Sequence, residues 1–275
     1  MILKENFMKK TALAFVVSMI IFILDSCPPL PQEPGWNERY SYDFESGLSG
    51  WDYFEEIVNG DTENYGDNIG LSEISTEAAN SGSNSLCVWA NYAGSDLSNH
   101  LIGNYPWSMD ARSGIWRYEV TVLIPPADGQ SNQLGQTGPE FSLQNTREIS
   151  AGEFRTFTAG IQYCANPGDP VTYQNWYAWD NAGWVLIGSC PLSEETWYTL
   201  ALEMDYDTNS YIAFEITNGT VTMRYDISTM QMTGEEKEGF DSEGFWLTCE
   251  TENMWGEDGS EYRIFYDDVL LLQWH

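Results

Sequence analysis

Five aromatic residues crowd one short stretch of the sequence: Tyr173, Trp176, Tyr177, Trp179 and Trp184. Indole and phenol rings present flat apolar faces with a polar tip, and a saccharide ring, with a flat C–H face of its own, stacks on such a platform. Amides and carboxylates beside the platform can then bond the hydroxyls around the ring. Gln162, Tyr163, Gln174, Asn175 and Asp180 are placed for this. A strand sends successive side chains to opposite faces, so Trp176 points one way while Tyr177 and Trp179 point the other. Part of the set is therefore core. A second polar set, Gln144, Asn145, Arg147 and Arg155, draws attention because basic residues are rare here. An arginine on a sheet face can fork onto a carboxylate or bond sugar hydroxyls, and equally can form an internal salt bridge. The candidate binding residues are Trp176, Tyr177, Trp179, Trp184, Gln162 and Arg155.

The elements that must position these residues read as strands. From Arg39 onward apolar residues alternate in short runs separated by Gly, Asn, Asp, Ser and Pro clusters, and no stretch has helical periodicity. Trp116, Tyr118, Val120, Val122 and Ile124 share one face of a strand. Leu200, Leu202 and Met204 do the same in another, as do Ile212, Phe214 and Ile216 in a third. Asp180–Gly183, Asp207–Ser210 and Asn218-Gly219 supply residues that tolerate the positive φ of tight hairpin turns. Roughly a dozen strands without an internal linker predict one all-β domain over 39–275, a two-sheet antiparallel sandwich.

The 275 residues carry 42 Asp+Glu against 11 Lys+Arg, a formal charge of −31, with 12 Trp, 16 Tyr and 12 Phe. So acidic a chain repels phosphate backbones and anionic headgroups, which excludes nucleic acid and a polybasic membrane contact. Its aromatic content argues against disorder. Lys9 and Lys10 precede an apolar run from Ala12 to Leu24, too short to cross a bilayer and typical of a secretory signal. Residues 1–26 are thus predicted to be a signal peptide. Removing them takes away three lysines and two acids, so the charge becomes −32. The Pro-rich stretch over 27–38 is expected to be an extended tether. Of five cysteines, Cys87, Cys164, Cys190 and Cys249 lie beyond it. An exported location permits disulfides. Cys164 and Cys190 flank one predicted hairpin, which favours that pair and leaves Cys87 with Cys249, although four cysteines allow three connectivities and buried thiols are the alternative.

Two resemblances follow. Leu24-Asp25-Ser26-Cys27 resembles the lipobox of bacterial lipoproteins, which implies lipidation of Cys27 and an exported protein anchored to the cell envelope or outer surface. Four patterns are similar to those of β-jelly-roll domains in the concanavalin A-like lectin/glucanase and carbohydrate-binding module group. They are Asp43–Trp51, Ser81–Leu86, Trp197–Leu200 with Asp205 and Tyr211, and Phe265–Val269. In that group the first and last strands pair, which would bring Glu45 near Asp267 and Asp268. Crowded carboxylates repel unless a cation lies between them. The resemblance implies a structural calcium held by Glu45, a backbone carbonyl near Ser83, and Asp267 or Asp268, in keeping with calcium's preference for several oxygen ligands.

The same resemblance raises the question of catalysis. Glycosidases of this fold place alternating carboxylates on one strand so that nucleophile and proton donor share a cleft. Glu203, Asp205 and Asp207 are the nearest approach, but they run into a predicted turn. Phe157–Tyr163 resembles a strand of alginate lyases without their accompanying Arg and Gln-x-His motifs, and the histidines are only His100 and His275. The expectation is a monomeric, surface-anchored, lectin-like protein that binds a neutral poly- or oligosaccharide by aromatic stacking. The alternatives are a glycoside hydrolase or lyase of the same fold and a structural or adhesive envelope protein.

Overall fold

The computed structural model describes residues 35–58, 70–91, 96–105, 113–125, 136–164, 174–180, 183–232, 234–236, 243–253 and 261–275. The signal segment, Cys27, most of the tether and Tyr173 lie outside the described residues. In chain order the strands are β1 (Trp36–Tyr42), β2 (Trp51–Val58), β3 (Gly70–Ser75), β4 (Ser85–Asn91), β5 (Asp96–Tyr105) and β6 (Ile115–Leu123). Next come β7 (Gln136–Ser150), β8 (Glu153–Cys164), β9 (Asn175–Asp180), β10 (Gly183–Ser189) and β11 (Trp197–Asp205). The last are β12 (Ser210–Thr217), β13 (Thr222–Asp226), β14 (Gly234–Glu235), β15 (Gly244–Asn253) and β16 (Glu261–Trp274). They form two antiparallel sheets. Sheet I runs β13-β12-β11-β6-β16-β4-β3, with β1 also paired to β16; sheet II runs β10-β9-β8-β7-β15-β5-β2, with β14 on β8. The architecture is the predicted all-β, two-sheet antiparallel jelly roll.

Alternation makes the core. In β6, Trp116, Tyr118, Val120 and Val122 are fully buried while Arg117 and Glu119 face outward; Leu200, Leu202, Met204, Phe214 and Ile216 join them from β11 and β12. Sheet II answers with Phe141, Leu143, Ala159, Ile161, Trp176, Ala178, Phe245 and Leu247. The predicted hairpins form. Asn209 takes φ 52° between β11 and β12, and Gly219 takes φ 83° between β12 and β13.

Tyrosines of sheet I and its turns reach across the core and donate their hydroxyls to carbonyls of sheet II or its flanking chain. Tyr118 bonds Thr248 O at 3.1 Å, Tyr206 bonds Leu143 O at 2.7 Å, Tyr262 bonds Gly138 O at 2.9 Å and Tyr211 bonds Trp179 O at 2.6 Å. A buried phenol needs such a partner.

The expected disulfides do not form: Cys87, Cys164, Cys190 and Cys249 are buried, and none is cross-linked to another. Cys164 pairs in register with Asn175, which pairs with Ser189, so Cys190 lies about two strand spacings away. That is roughly 10 Å, beyond the ~7 Å a disulfide spans. Cys249 sits in the core, 3.4 Å from the Tyr118 hydroxyl, whereas Cys87 packs with Leu123 and Phe265 on the outer side of sheet I. A sheet separates them. Burial pushes the Cys249 thiol up to about 12, so it stays protonated at neutral pH.

Candidate functional site

The outward side chains of sheet II fall into cross-strand rows. One row reads Glu250, Glu140, Gln162, Tyr177 across β15, β7, β8 and β9. The backbone register places His100 of β5 beside Glu250. The neighbouring row reads Thr248, Ser142, Gly160 and then, one step beyond the Ile161–Ala178 pair, Trp179 and its partner Trp184. A third holds Trp246, Gln144 and Thr158. Nothing apolar was needed here for the core, because the odd-numbered residues of β7, β8 and β15 face the other sheet.

This polar face is deeply set. Glu140 is 8% and Glu250 6% exposed, and Ser142, Thr248 and Gln162 are buried with them. Carboxylates are seldom buried to this degree unless bonded. The Gln162 amide donates to Glu140 Oε2 at 2.7 Å. Ser142 Oγ and Thr248 Oγ1 lie 2.7 Å apart, and Thr248 Oγ1 also accepts the Ser142 amide at 2.9 Å. Beside them Trp179 and Trp184 meet edge to face, centroids 5.4 Å apart at 75°, both half-buried. Gly160 makes room for that pair. A Cβ there would lie 3.6 Å from Ser142 Cβ, 3.6 Å from the far edge of the Trp184 indole and 3.7 Å from Trp179 Cβ. A methyl fits, and anything larger fills the depression between hydroxyls and indoles.

Two core tyrosines brace this face from behind. The Tyr266 hydroxyl accepts the Glu140 amide at 3.2 Å and donates to the Glu250 carbonyl, so it enters the β7–β15 ladder at the row of the two glutamates. The Tyr211 hydroxyl accepts the Gly160 amide at 3.0 Å and donates to Trp179 O, doing the same between β8 and β9. Burial drives both phenol pKa values upward, so each hydroxyl keeps its proton and can donate and accept at once.

The structure brings Tyr177, Trp179, Trp184 and Gln162 together and separates Trp176 from them. Trp176 is core: it packs on Tyr163 and Phe214 at 4.8 and 4.9 Å and donates its indole N–H to Cys190 O at 3.0 Å. Arg155 is also removed from the binding set, since it shares the core-side parity of Phe157 at the end of β8 and pairs with Glu153 at 3.0 Å. Arg147 lies 4.2 Å over the Phe157 ring and bonds Tyr206 O and Asn209 Oδ1, tying β7 to the β11–β12 turn. Asn145 is buried on the same side.

Glu203, Asp205 and Asp207 are not a catalytic set. Glu203 lies on the outer face of sheet I, bonded by Arg117 at 2.6 Å and Arg224 at 2.8 Å. Asp205 accepts the Asp207 amide and the Thr208 hydroxyl at 2.8 and 2.9 Å, which caps its own turn and leaves Asp207 at the solvent.

Glu45 on one side and Asp267 and Asp268 on the other bond successive residues of the 80–84 segment, beside the point where β16 exchanges β4 for β1 along one edge and Asp268 takes φ 45°. Glu45 Oε1 accepts the Ser83 and Asn84 amides, each at 2.6 Å. Asp267 accepts the amides of Asn80, Ser81 and Asp268 at 2.8, 3.1 and 2.8 Å; Asp268 accepts Asn80 Nδ2 and Ser81 Oγ. Burial raises the Asp267 pKa against these amides, which lower it. Ser83 thus offers its N–H, where a calcium ligand would offer its carbonyl. No group of three or more His, Cys, Asp or Glu suited to a metal occurs among the described residues. In this arrangement the donor set does not fit calcium.

Sequence reasoning missed Glu140, Glu250, Ser142, Thr248 and Gly160. The available signal was alternation: Glu140, Ser142 and Gln144 interleave with Phe141 and Leu143, as Thr248 and Glu250 do with Leu247 and Cys249. Their meeting depends on register across 110 residues, which alternation does not supply.

No protein-family model matches the chain, and no curated protein matches it. Among solved structures it is similar to an endo-β-1,4-glucuronan lyase from the fungus Trichoderma reesei, at 14% identity and a TM-score of 0.49, over 86% of this chain and 95% of that one. It is similar to a GH131 β-glucanase catalytic domain from Podospora anserina, at 12% and 0.43, over 83% and 92%. It is also similar to peanut lectin, at 9% and 0.45, over 88% and 99%. The two-sheet antiparallel β-sandwich stands on this chain's own strand order.

Proposed function

We propose that the outer face of sheet II binds a neutral saccharide and that the protein is an exported, lipid-anchored saccharide-binding protein. The observation that carries the reading is the half-buried Trp179–Trp184 pair set against side-chain-free Gly160, with hydroxyl, amide and carboxyl groups in the adjoining positions. A flat apolar platform beside closely spaced polar groups matches a ring that is apolar on its face and hydroxylated at its rim. Charge selects the neutral class. The described strands of this face carry no Lys or Arg directed outward, and the chain as a whole stands at −31, so an anionic polymer is repelled.

Affinity electrophoresis through gels containing β-glucan, xylan or galactomannan tests it. The protein is retarded by at least one neutral polymer and not by polygalacturonate. Trp184→Ala and Trp179→Ala lose about tenfold in affinity, about 1.4 kcal/mol. Unchanged mobility of the unaltered protein in every neutral gel overturns the reading. The anchor is tested separately: palmitate labelling that persists in Cys27→Ser refutes it.

A further inference from the structure

Trp246 is an aromatic residue of the same face that the binding reading above does not use. It lies on β15 between Phe245 and Leu247, which are core, so alternation turns it outward in the row of Gln144 and Thr158. Its indole is laid along its own strand. A Cβ built on Gly244 would stand 3.0 Å from Trp246 Cη2, 3.1 Å from Cζ2 and 3.4 Å from Cζ3, so a larger residue at 244 would push the ring away. The ring is half-buried, as Trp179 and Trp184 are. An aromatic platform set against a glycine thus occurs twice on sheet II, at Gly244 and at Gly160.

We propose that Trp246 is a second stacking position, and that the ligand of this face is an extended internal stretch of a linear polysaccharide, about four sugar rings or more, lying across the strands. The inference rests on the binding reading above and names the form of saccharide that the face takes.

Three features support it. The first is spacing. Trp246 and Trp179 are three strand steps apart, from β15 through β7 and β8 to β9, and one outward position apart along the strands. With steps of about 4.8 Å and an outward repeat of about 6.7 Å, their Cα atoms lie about 16 Å from one another. A pyranose ring in an extended chain advances by about one strand spacing, so the two platforms meet rings three apart. A single sugar reaches only one of them.

The second feature is the floor between the platforms. Ser142, Gln144, Thr158, Gly160 and Thr248 occupy it, and all are uncharged. Hydroxyls and an amide there can donate to and accept from the hydroxyls at the ring edges. The third is rigidity. β15 is paired on both sides, with β5 and β7, so the position of Trp246 is set by the sheet rather than by a loop. Two fixed platforms act together only on a chain long enough to span them, and affinity then rises steeply with length because the second contact is made within one complex.

The full mature protein is run through gels of β-glucan, xylan and galactomannan while free cello-, xylo- or manno-oligosaccharides of one to six rings compete for it. In the series that matches the retarding polymer, affinity rises about tenfold or more between two and four rings and changes little beyond. Trp246→Ala removes this gain, so that four rings compete about tenfold less well. Trp246→Leu, which covers Gly244 without offering a stacking face, loses the gain as well, whereas Trp246→Phe keeps most of it; a residue that served only to cover Gly244 would not separate these two variants. Competition complete at one or two rings, a gain with length that Trp246→Leu retains, or an equal loss at every length in Trp246→Ala overturns the inference and leaves the binding reading standing. Unchanged mobility of the unaltered protein in every neutral gel overturns the binding reading itself.

Discussion

The outer faces of the two sheets arise from the same alternation and handle their acids in opposite ways. On sheet I, Arg117 bonds Glu119, Glu203 and Glu215, and Arg224 bonds Glu203 and Glu215, so that two cations hold three carboxylates in one closed network. Beneath it Ala201 and Ala213 are buried although they point away from the core. On sheet II the corresponding positions hold hydroxyls, amides, indoles and a glutamate pair, with no outward Lys or Arg among the described residues. Charge neutralised by charge makes a finished surface. On sheet II two carboxyls oppose each other across β7 and β15, and the bond to Glu140 comes from the Gln162 amide rather than from an arginine. The arginines of the two outer faces are thus concentrated on sheet I among the described residues.

Removing the central cation breaks this contrast most severely. Arg117→Ala leaves Glu203 and Glu215 to Arg224 alone and takes from Glu119 its bond to Arg117, and breaking a largely buried pair costs about 3 kcal/mol, measured by urea denaturation. Saccharide retardation stays unchanged. The same variant alters the acid limb. Glu215 is desolvated, but hydrogen bonds from Arg117 and Arg224 outweigh this and hold its carboxyl below the usual range. A depressed folded pKa contributes stability above the ordinary glutamate range, and this is lost as pH falls through the folded value. Without Arg117 that loss is smaller, so stability falls less steeply on the acid side.

One chemical change made on both faces sharpens the comparison. Glu203→Gln replaces an anion that serves two arginines and costs about 1–2 kcal/mol. Glu250→Gln replaces one of two directly opposed carboxyls with a neutral group of the same shape, which removes a like-charge pair across β7 and β15, and the melting temperature at neutral pH stays level or rises. A loss of stability in Glu250→Gln equal to that in Glu203→Gln would make the two faces alike and remove the basis for treating sheet II as a site.

The sequence displayed the strands, the two-faced pattern and the separation of Trp176 from Trp179, because each is a property of spacing along one chain. It did not display the glutamate pair. Glu140 and Glu250 become neighbours only through the β7–β15 register, and the same applies to Tyr266, which comes from the opposite sheet. The disulfide expectation failed for a related reason: flanking a hairpin says that two cysteines are near its ends, not that their side chains face one another. Glu203 was singled out because alternating acids on one strand are visible, while the arginines that occupy it come from β6 and β13.

The smallest effect concerns the termini. Glu45, Asp267 and Asp268 bond no arginine and accept instead from backbone amides of 80–84 and from a side-chain amide and hydroxyl. Amide donors do for these carboxylates what a cation does elsewhere, which is to favour the charged form. Chelation then has nothing to remove. Millimolar EDTA leaves the melting temperature within about a degree of its value in millimolar calcium, read by thermal denaturation. A fall of several degrees, reversed by calcium and absent in Glu45→Gln, would show that the clasp is completed by a cation and that its amides turn away when one is present.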